Sequence, residues 1–76
     1  MTIGERAAQA IREKAKEKGI PIYKELENIG TQRNAFHVWE KCNIDPSGYF
    51  LQQMALNGYD IYWILTGKEQ EHGCEV

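Results

Sequence analysis

Cysteine is scarce in this sequence, and its spacing argues against a metal site. The only two cysteines, Cys42 and Cys74, lie 32 residues apart, a separation that matches no metal-binding motif. The two histidines, His37 and His72, share no ligand spacing with them. We therefore expect no metal and no other cofactor, and free thiols in a reducing compartment.

Long hydrophobic runs are also missing. No apolar stretch approaches the roughly 18 residues that a membrane-spanning helix needs, and the first residues lack the basic-then-apolar pattern of a signal segment. We therefore expect a cytoplasmic protein with no membrane partner. A hydrophobic fraction of 42 % is typical of a folded chain. The length of 76 residues predicts one small domain, which we place over residues 1–67. Residues 68–76 are mostly polar and predict a flexible tail.

The motifs of common enzymes are absent as well. The sequence has no serine nucleophile in a strand–turn–helix context and no phosphate-binding glycine loop. Its acids Glu40, Asp45 and Asp60 are better explained as helix caps and surface charges than as a catalytic pair. A chain of 76 residues also has little room for a large pocket. We expect neither an enzyme nor a small-molecule substrate.

An excess of positive charge, which DNA-binding proteins usually show, is missing too. The net charge is −2 and the isoelectric point is about 5.6. The charge is unevenly distributed, however. Residues 1–41 carry eight basic and six acidic side chains, whereas residues 42–76 carry one basic and five acidic side chains. The amino-terminal half is therefore the part that suits a polyanionic partner.

Apolar residues recur with helical spacing and predict five helices and no strand. The first helix runs from Ile3 to Lys18, begins with a capping box formed by Thr2 and Glu5, and ends at Gly19. Its apolar stripe consists of Ile3, Ala7, Ile11 and Ala15.

Two short helices follow, separated by a glycine. Pro21 suits the first turn of the second helix, which ends at Gly30. Its apolar positions are Ile22, Leu26 and Ile29. The third helix runs from Gln32 to Lys41. Phe36 and Trp39 lie three residues apart on its inward side, so Arg33, Asn34 and His37 point outwards.

Two further helices complete the predicted fold. Asp45 as a cap and Pro46 open the fourth helix, and Asn57–Gly58 closes it. Its inner face consists of Phe50, Leu51, Met54 and Ala55. Asp60 caps a fifth helix from Ile61 to Leu65, on which either Tyr62 or Trp63 must be partly exposed. Short helices with short connections predict a compact all-α globule.

Three segments resemble the phage-repressor-type helix-turn-helix family, which includes Cro. They are Ile3-Gly4-Glu5-Arg6 with the basic stretch to Ile20, the segment from Gly30 to Lys41, and the segment from Asn57 to Gly67. The last is the most specific, because it ends with an aromatic residue followed by Ile-Leu-Thr-Gly. The resemblance implies a five-helix, lambda-repressor-like DNA-binding domain. It also implies a transcriptional regulator, of the phage or prophage repressor type, that binds a double-stranded DNA operator as a homodimer.

The resemblance further implies that Gln32, Arg33, Asn34 and Val38 contact DNA, with His37 beside them on the third helix. Lys41 on the third helix is a further candidate, as are Lys14 and Lys18, because the first helix ends near the second. Most basic residues of the first helix also fit a solvated face. Arg33 has the planar fork that matches guanine O6 and N7, and Asn34 has the carboxamide that matches adenine. Val38 suits a thymine methyl group, and the lysines suit phosphates.

Each assignment has a plainer alternative. Arg33, Asn34 and His37 also fit an ordinary solvated face, Gln32 fits a helix cap, and Val38 fits a half-buried contact. The alternative function is a protein-interaction module that keeps the helix-turn-helix scaffold but binds another regulator instead of DNA. The acidic second half of the chain, and Ile22 where the family often has a polar residue, favour that alternative.

Overall fold

The computed structural model describes residues 1–42 and 44–68. This part of the chain contains five α-helices and no strand: α1 (Ile3–Lys18), α2 (Ile22–Asn28), α3 (Arg33–Lys41), α4 (Gly48–Leu56) and α5 (Ile61–Thr66). The predicted all-α fold with five helices is therefore confirmed. The predicted flexible tail falls, from residue 69 onwards, outside the described residues, as do Cys74 and His72.

The ends of α1 are fixed by local interactions, as the sequence predicts. Thr2 Oγ1 accepts a hydrogen bond from the backbone N–H of Glu5, and Glu5 Oε1 accepts one from the N–H of Thr2. Gly19 ends the helix in the left-handed conformation, at φ 68°. Both caps satisfy backbone groups that have no partner inside the helix.

The hydrophobic core lies around α1, which packs against α2, α3 and α5. Ala7, Ile11 and Ala15 of its predicted stripe are buried, and Ile3 packs against the core at its edge. The other helices contribute Leu26, Phe36, Trp39, Met54 and Ile64. Ala55, predicted on the inner face of α4, is exposed instead. No helix in the described residues is long and apolar enough to span a membrane.

A glycine allows α1 and α3 to approach each other closely. A Cβ atom on Gly4 would lie 2.6 Å from the carbonyl oxygen of Trp39 and 2.7 Å from that of Ile44. Both distances are far below van der Waals contact, and both oxygens belong to the backbone. The first turn of α1 therefore packs directly on the carboxyl-terminal end of α3, and only glycine fits at this position.

The predicted start of α4 is wrong. Asp45 does not cap α4, which begins at Gly48 after Ser47, and Pro46 is buried in the preceding loop. Asp45 Oδ1 instead accepts a hydrogen bond from the backbone N–H of Gly4, at 3.1 Å. This N–H belongs to the first turn of α1, where it has no helical partner and where a negative charge is favourable. Asp45 thus stabilises a helix that lies 41 residues earlier in the chain.

Arg6 joins α1 to the end of α5. Its Nε donates to the carbonyl oxygen of Ile64 at 2.7 Å, and a terminal nitrogen donates to that of Leu65 at 3.1 Å. These oxygens lie in the last turn of α5, where carbonyl groups lack helical partners. The planar guanidinium satisfies both oxygens at once, which a lysine could not do with the same geometry.

A buried carboxylate joins α1 and α2 to the loop before α5. Glu25 is fully buried, and it accepts hydrogen bonds from Lys18 Nζ at 2.8 Å, from Asn28 Nδ2 at 3.1 Å and from the hydroxyl of Tyr59. Burial alone would raise the pKa of Glu25. The bonds from Lys18, Tyr59 and Asn28, with the charge of Lys18, outweigh burial and hold the pKa below its ordinary value. Burial and Glu25 together raise the pKa of Tyr59.

We predict that Gly4→Ala destabilises the fold, because the new methyl group meets two backbone oxygens that cannot move without displacing α3. The free energy of unfolding should fall by about 1–3 kcal/mol, the usual cost of overpacking, in urea denaturation followed by circular dichroism. Gly48→Ala is the matched control, since it also lies in a first helical turn but has open space around it. It should be neutral or stabilise by up to about 1 kcal/mol. Equal effects of the two changes would contradict the close contact.

We predict that Glu25→Gln lowers the free energy of unfolding near pH 7 by about 1–3 kcal/mol, because it weakens hydrogen bonds to a buried charge. The native pKa of Glu25 lies below its unfolded value of about 4.5. Its ionised form therefore stabilises the fold at neutral pH, and this contribution disappears as the pH falls through the native pKa. The difference between the two proteins should shrink accordingly in acid.

The exposed Glu17 provides the control for this experiment. Glu17→Gln should change the free energy of unfolding by less than about 0.5 kcal/mol. A constant difference between wild type and Glu25→Gln down to acid pH would show that the Glu25 carboxylate is not held as an ion in the folded state.

Candidate nucleic-acid interface

Two aromatic side chains hold α3 on the protein, as predicted. Phe36 and Trp39 are 8 % and 3 % exposed, and the Trp39 ring meets that of Phe50 edge-on at 5.5 Å. Gly30, at φ 77°, turns the chain after α2, and the N–H of Thr31 donates to the carbonyl oxygen of Leu26 at 2.9 Å. The connection from α2 to α3 is therefore short and hydrogen-bonded, so the direction of α3 is well defined.

An ion pair fixes α3 to α1 on the solvent side. Arg12 donates two hydrogen bonds to Glu40, from Nε at 2.7 Å and from a terminal nitrogen at 2.8 Å. The Arg12 guanidinium also lies 5.1 Å from the centre of the Phe36 ring, within the range of a cation–π interaction. The hydrogen bonds from Arg12 lower the pKa of Glu40. Because Glu40 is the only acid in α3, the charges left on its outer face, Arg33 and Lys41, are positive.

The structure places most of the predicted DNA-binding residues on one exposed surface. Gln32, Arg33, Asn34, His37 and Lys41 are all exposed. None of these five side chains forms a hydrogen bond or ion pair with another described residue. Val38 is half-buried and packs against the core. We refer to Gln32, Arg33, Asn34, His37, Val38 and Lys41 as the α3 face.

Gln32 occupies the cap position of α3 without capping it. Its backbone is extended, at φ −128° and ψ 167°, and its side chain accepts no hydrogen bond from the first turn. Capping was the alternative role for this residue, and the structure does not show it. The exposed carboxamide of Gln32 is therefore available to a ligand, at a position where serine or aspartate would stabilise the helix better.

Lys14 and Lys18 interact with the protein itself. Lys14 Nζ donates to the carbonyl oxygen of Gly58 at 3.3 Å and lies 5.2 Å from the centre of the Tyr59 ring. Lys18 Nζ pairs with the buried Glu25. Both amino groups already have a partner, unlike that of Lys41, so a phosphate contact by either lysine would compete with an existing bond. Their assignment to DNA binding stays a prediction.

Tyr23 is a candidate that sequence reasoning missed. It is 52 % exposed and lines a groove between the start of α2 and the front of α3. Arg33, His37 and the Arg12–Glu40 pair line the same groove. A phenol beside two basic side chains can donate a hydrogen bond to an anion. The signal in the sequence was weak, because Tyr23 lies next to Ile22 but outside the apolar stripe of α2.

The fifth helix agrees with its predicted pattern. Asp60 accepts a hydrogen bond from the N–H of Trp63 at 3.0 Å and so caps α5. Tyr62 is 47 % exposed, whereas Trp63 packs against the core. The partly exposed aromatic residue that the sequence required is therefore Tyr62.

Comparisons with protein-family models, with curated proteins and with solved structures find no match to this chain. The resemblance to phage repressors therefore stays a prediction from the residues. A functional assignment has to depend on the geometry and charge of the α3 face.

Proposed function

We propose that this protein is a sequence-specific DNA-binding transcriptional regulator of the phage or prophage repressor type, which inserts α3 into the major groove of an operator. In this proposal α2, the turn at Gly30 and α3 form the helix-turn-helix unit. The main support is the contrast between two sets of polar groups. Arg6, Arg12, Lys18 and Glu25 are bonded within the protein, whereas the polar side chains of the α3 face have no described partner.

The chemistry of the α3 face suits the edges of base pairs. Arg33 can donate two parallel hydrogen bonds to O6 and N7 of guanine, and Asn34 can pair with N6 and N7 of adenine. Gln32 offers a second carboxamide at the start of the helix. Val38, half-exposed beside them, can meet a thymine methyl group. Three positions of α3 and its cap residue would thus read a short sequence.

The residues around this set suit phosphates. Lys41 lies at the end of α3, and Tyr23 lines the groove beside Arg33 and His37. These side chains would fix the position of α3 on the duplex without reading sequence. The pairing of Glu40 with Arg12 lessens the repulsion between the only acid of α3 and the DNA.

Two copies of the chain would bind successive major grooves, about 34 Å apart on one side of the duplex. A homodimer of this kind reads an operator with two related half-sites, and its occupancy would regulate transcription by excluding or recruiting polymerase. Both operator binding and dimerisation are part of the proposal.

The alternative, a module that binds another protein, has one observation in its favour. Several large apolar side chains are exposed on the described surface, among them Ile44, Tyr49 and Leu56. An absence of duplex preference, together with an affinity that does not fall with salt, would favour this alternative over DNA binding.

We predict that Arg33→Ala relaxes sequence preference at one base pair. The preferred duplex is first selected from a randomised pool with the full chain, and affinity is then measured by fluorescence anisotropy over a salt series. Arg33→Ala should weaken binding to the preferred duplex by about 1–3 kcal/mol. The variant should bind this duplex and a duplex changed at one base pair with nearly equal affinity. Lys41→Ala should instead weaken binding to all duplexes alike and reduce the salt slope by about 1.

Lys68→Ala is the matched control for lost charge, because Lys68 is exposed beyond the end of α5. It should change affinity less than Lys41→Ala does. A uniform loss for Arg33→Ala on every duplex would show that Arg33 contacts only phosphate, and no preferred duplex at all would exclude the proposed function.

We predict opposite effects of Gln32→Ser on stability and on DNA binding. Serine at the cap of α3 can accept a hydrogen bond from the first turn, so the thermal midpoint should rise, equivalent to about 1 kcal/mol. The same change removes the exposed carboxamide, so affinity for the preferred duplex should fall. A more stable variant with unchanged affinity would show that Gln32 does not contact DNA.

A further inference from the structure

The groove between α2 and α3, which we call the α2–α3 groove, has an apolar floor. Its volume is about 430 Å³, within the range of pockets that hold small organic ligands. Three apolar side chains line it, those of Ile22, Leu26 and Phe36. Leu26 and Phe36 belong to the buried core and Ile22 packs against it. The floor is therefore part of the folded core, and its shape is set by the packing of the helices.

The rim of the α2–α3 groove carries hydrogen-bond donors. Arg33 and His37 lie one turn apart on α3, and Tyr23 lines the groove from α2. All three side chains are exposed, and none of them bonds to another described residue. A guanidinium can donate two parallel hydrogen bonds to a carboxylate, and a phenol or an imidazole can add a further one. The rim thus suits an anion above an apolar floor.

The charge of the lining favours a singly charged ligand. Arg12 and Glu40 also line the groove, but they bond to each other at 2.7 and 2.8 Å, so their charges offset one another. Among the described residues of the lining, Arg33 is then the one permanent charge without a partner. A carboxylate balances this charge, whereas a doubly charged phosphate would add an unbalanced negative charge near Glu40.

We propose that the α2–α3 groove binds a small aromatic carboxylate, whose ring covers Leu26 and Phe36 and whose carboxylate accepts hydrogen bonds from Arg33. The proposed DNA contacts do not use this floor, because base edges and phosphates are bound by polar side chains. An aromatic ring removes the floor from water and can meet Phe36 edge-on. Because Arg33 cannot hold the ligand and a guanine at once, the ligand displaces the operator. This last step rests on the proposed function.

Binding is tested on the full chain without DNA, with naphthoate as the probe. Naphthoate should shift the backbone amides of the 15N-labelled chain around Tyr23, Leu26, Arg33 and His37. We expect a dissociation constant of about 0.1–1 mM for a ligand of this size. Acetate carries the charge without the rings, and naphthamide carries the rings without the charge. Each of these two controls should bind at least roughly tenfold more weakly.

Two variants test the role of Arg33 in this binding. Arg33→Ala should weaken naphthoate binding at least roughly tenfold, because it removes the charged donor. Lys41→Ala is the matched control, since it removes a positive charge from the same helix outside the groove, and it should leave naphthoate binding unchanged. Circular dichroism melting checks that both variants fold. No binding of naphthoate up to about 10 mM, amide shifts outside the groove, or an equal loss in both variants would overturn the proposal.

Displacement is tested with the duplex that the chain selects. Naphthoate at about ten times its dissociation constant should weaken duplex binding about tenfold, as competition for one site requires. Acetate at the same concentration controls for the effect of salt and should cause much less loss. Unchanged duplex binding in naphthoate would overturn the displacement. A chain with no preferred duplex would exclude the proposed function, whereas the amide shifts without DNA would still decide whether the groove binds its ligand.

Discussion

The contact between Gly4 and the carbonyl oxygens of Trp39 and Ile44 determines where α3 lies on the protein. No side chain separates the first turn of α1 from the end of α3, so the two backbones meet directly. Asp45 reinforces this contact, because its carboxylate accepts a hydrogen bond from the backbone N–H of Gly4. Arg12 and Glu40 join the two helices further along α1. The orientation of α3 is therefore set by backbone contact and charged hydrogen bonds, in addition to the buried Phe36 and Trp39.

The polar side chains fall into two sets, those bonded within the fold and those exposed on the α3 face. The charged groups that hold the fold are satisfied within it: Glu25 binds three donors in the core, and Arg6 binds the end of α5. The side chains of the α3 face are held in place by the backbone of α3 but remain exposed. An acidic protein can in this way present a locally basic surface, because the one acid of α3 is engaged by Arg12.

The parts of the fold that depend on local sequence were predicted well. The capping box of α1, its apolar stripe, the inward aromatics of α3 and the Asp60 cap of α5 all involve residues a few positions apart. One local prediction failed, because Ala55 has the spacing of the inner face of α4 and is nevertheless exposed. The other failures involve distant partners. Asp45 before Pro46 looks like a helix cap, but its bond to Gly4 crosses 41 residues. Glu25 gave no sign of burial, because its partner Tyr59 is 34 residues away. Exposure of the α3 face could be predicted from periodicity. DNA as its ligand was suggested by the glycine turn between two short helices with polar outward residues, and by resemblance to a family.

The most direct test of the central claim is to map the DNA contact on the protein by NMR. Backbone amide shifts of the 15N-labelled chain would be followed during titration with the duplex that it selects. Binding through α3 predicts the largest changes at residues 32–41 and at Tyr23, with slower exchange of the Arg33 side chain. Changes confined to α4 and α5, with residues 32–41 unaffected, would contradict the account.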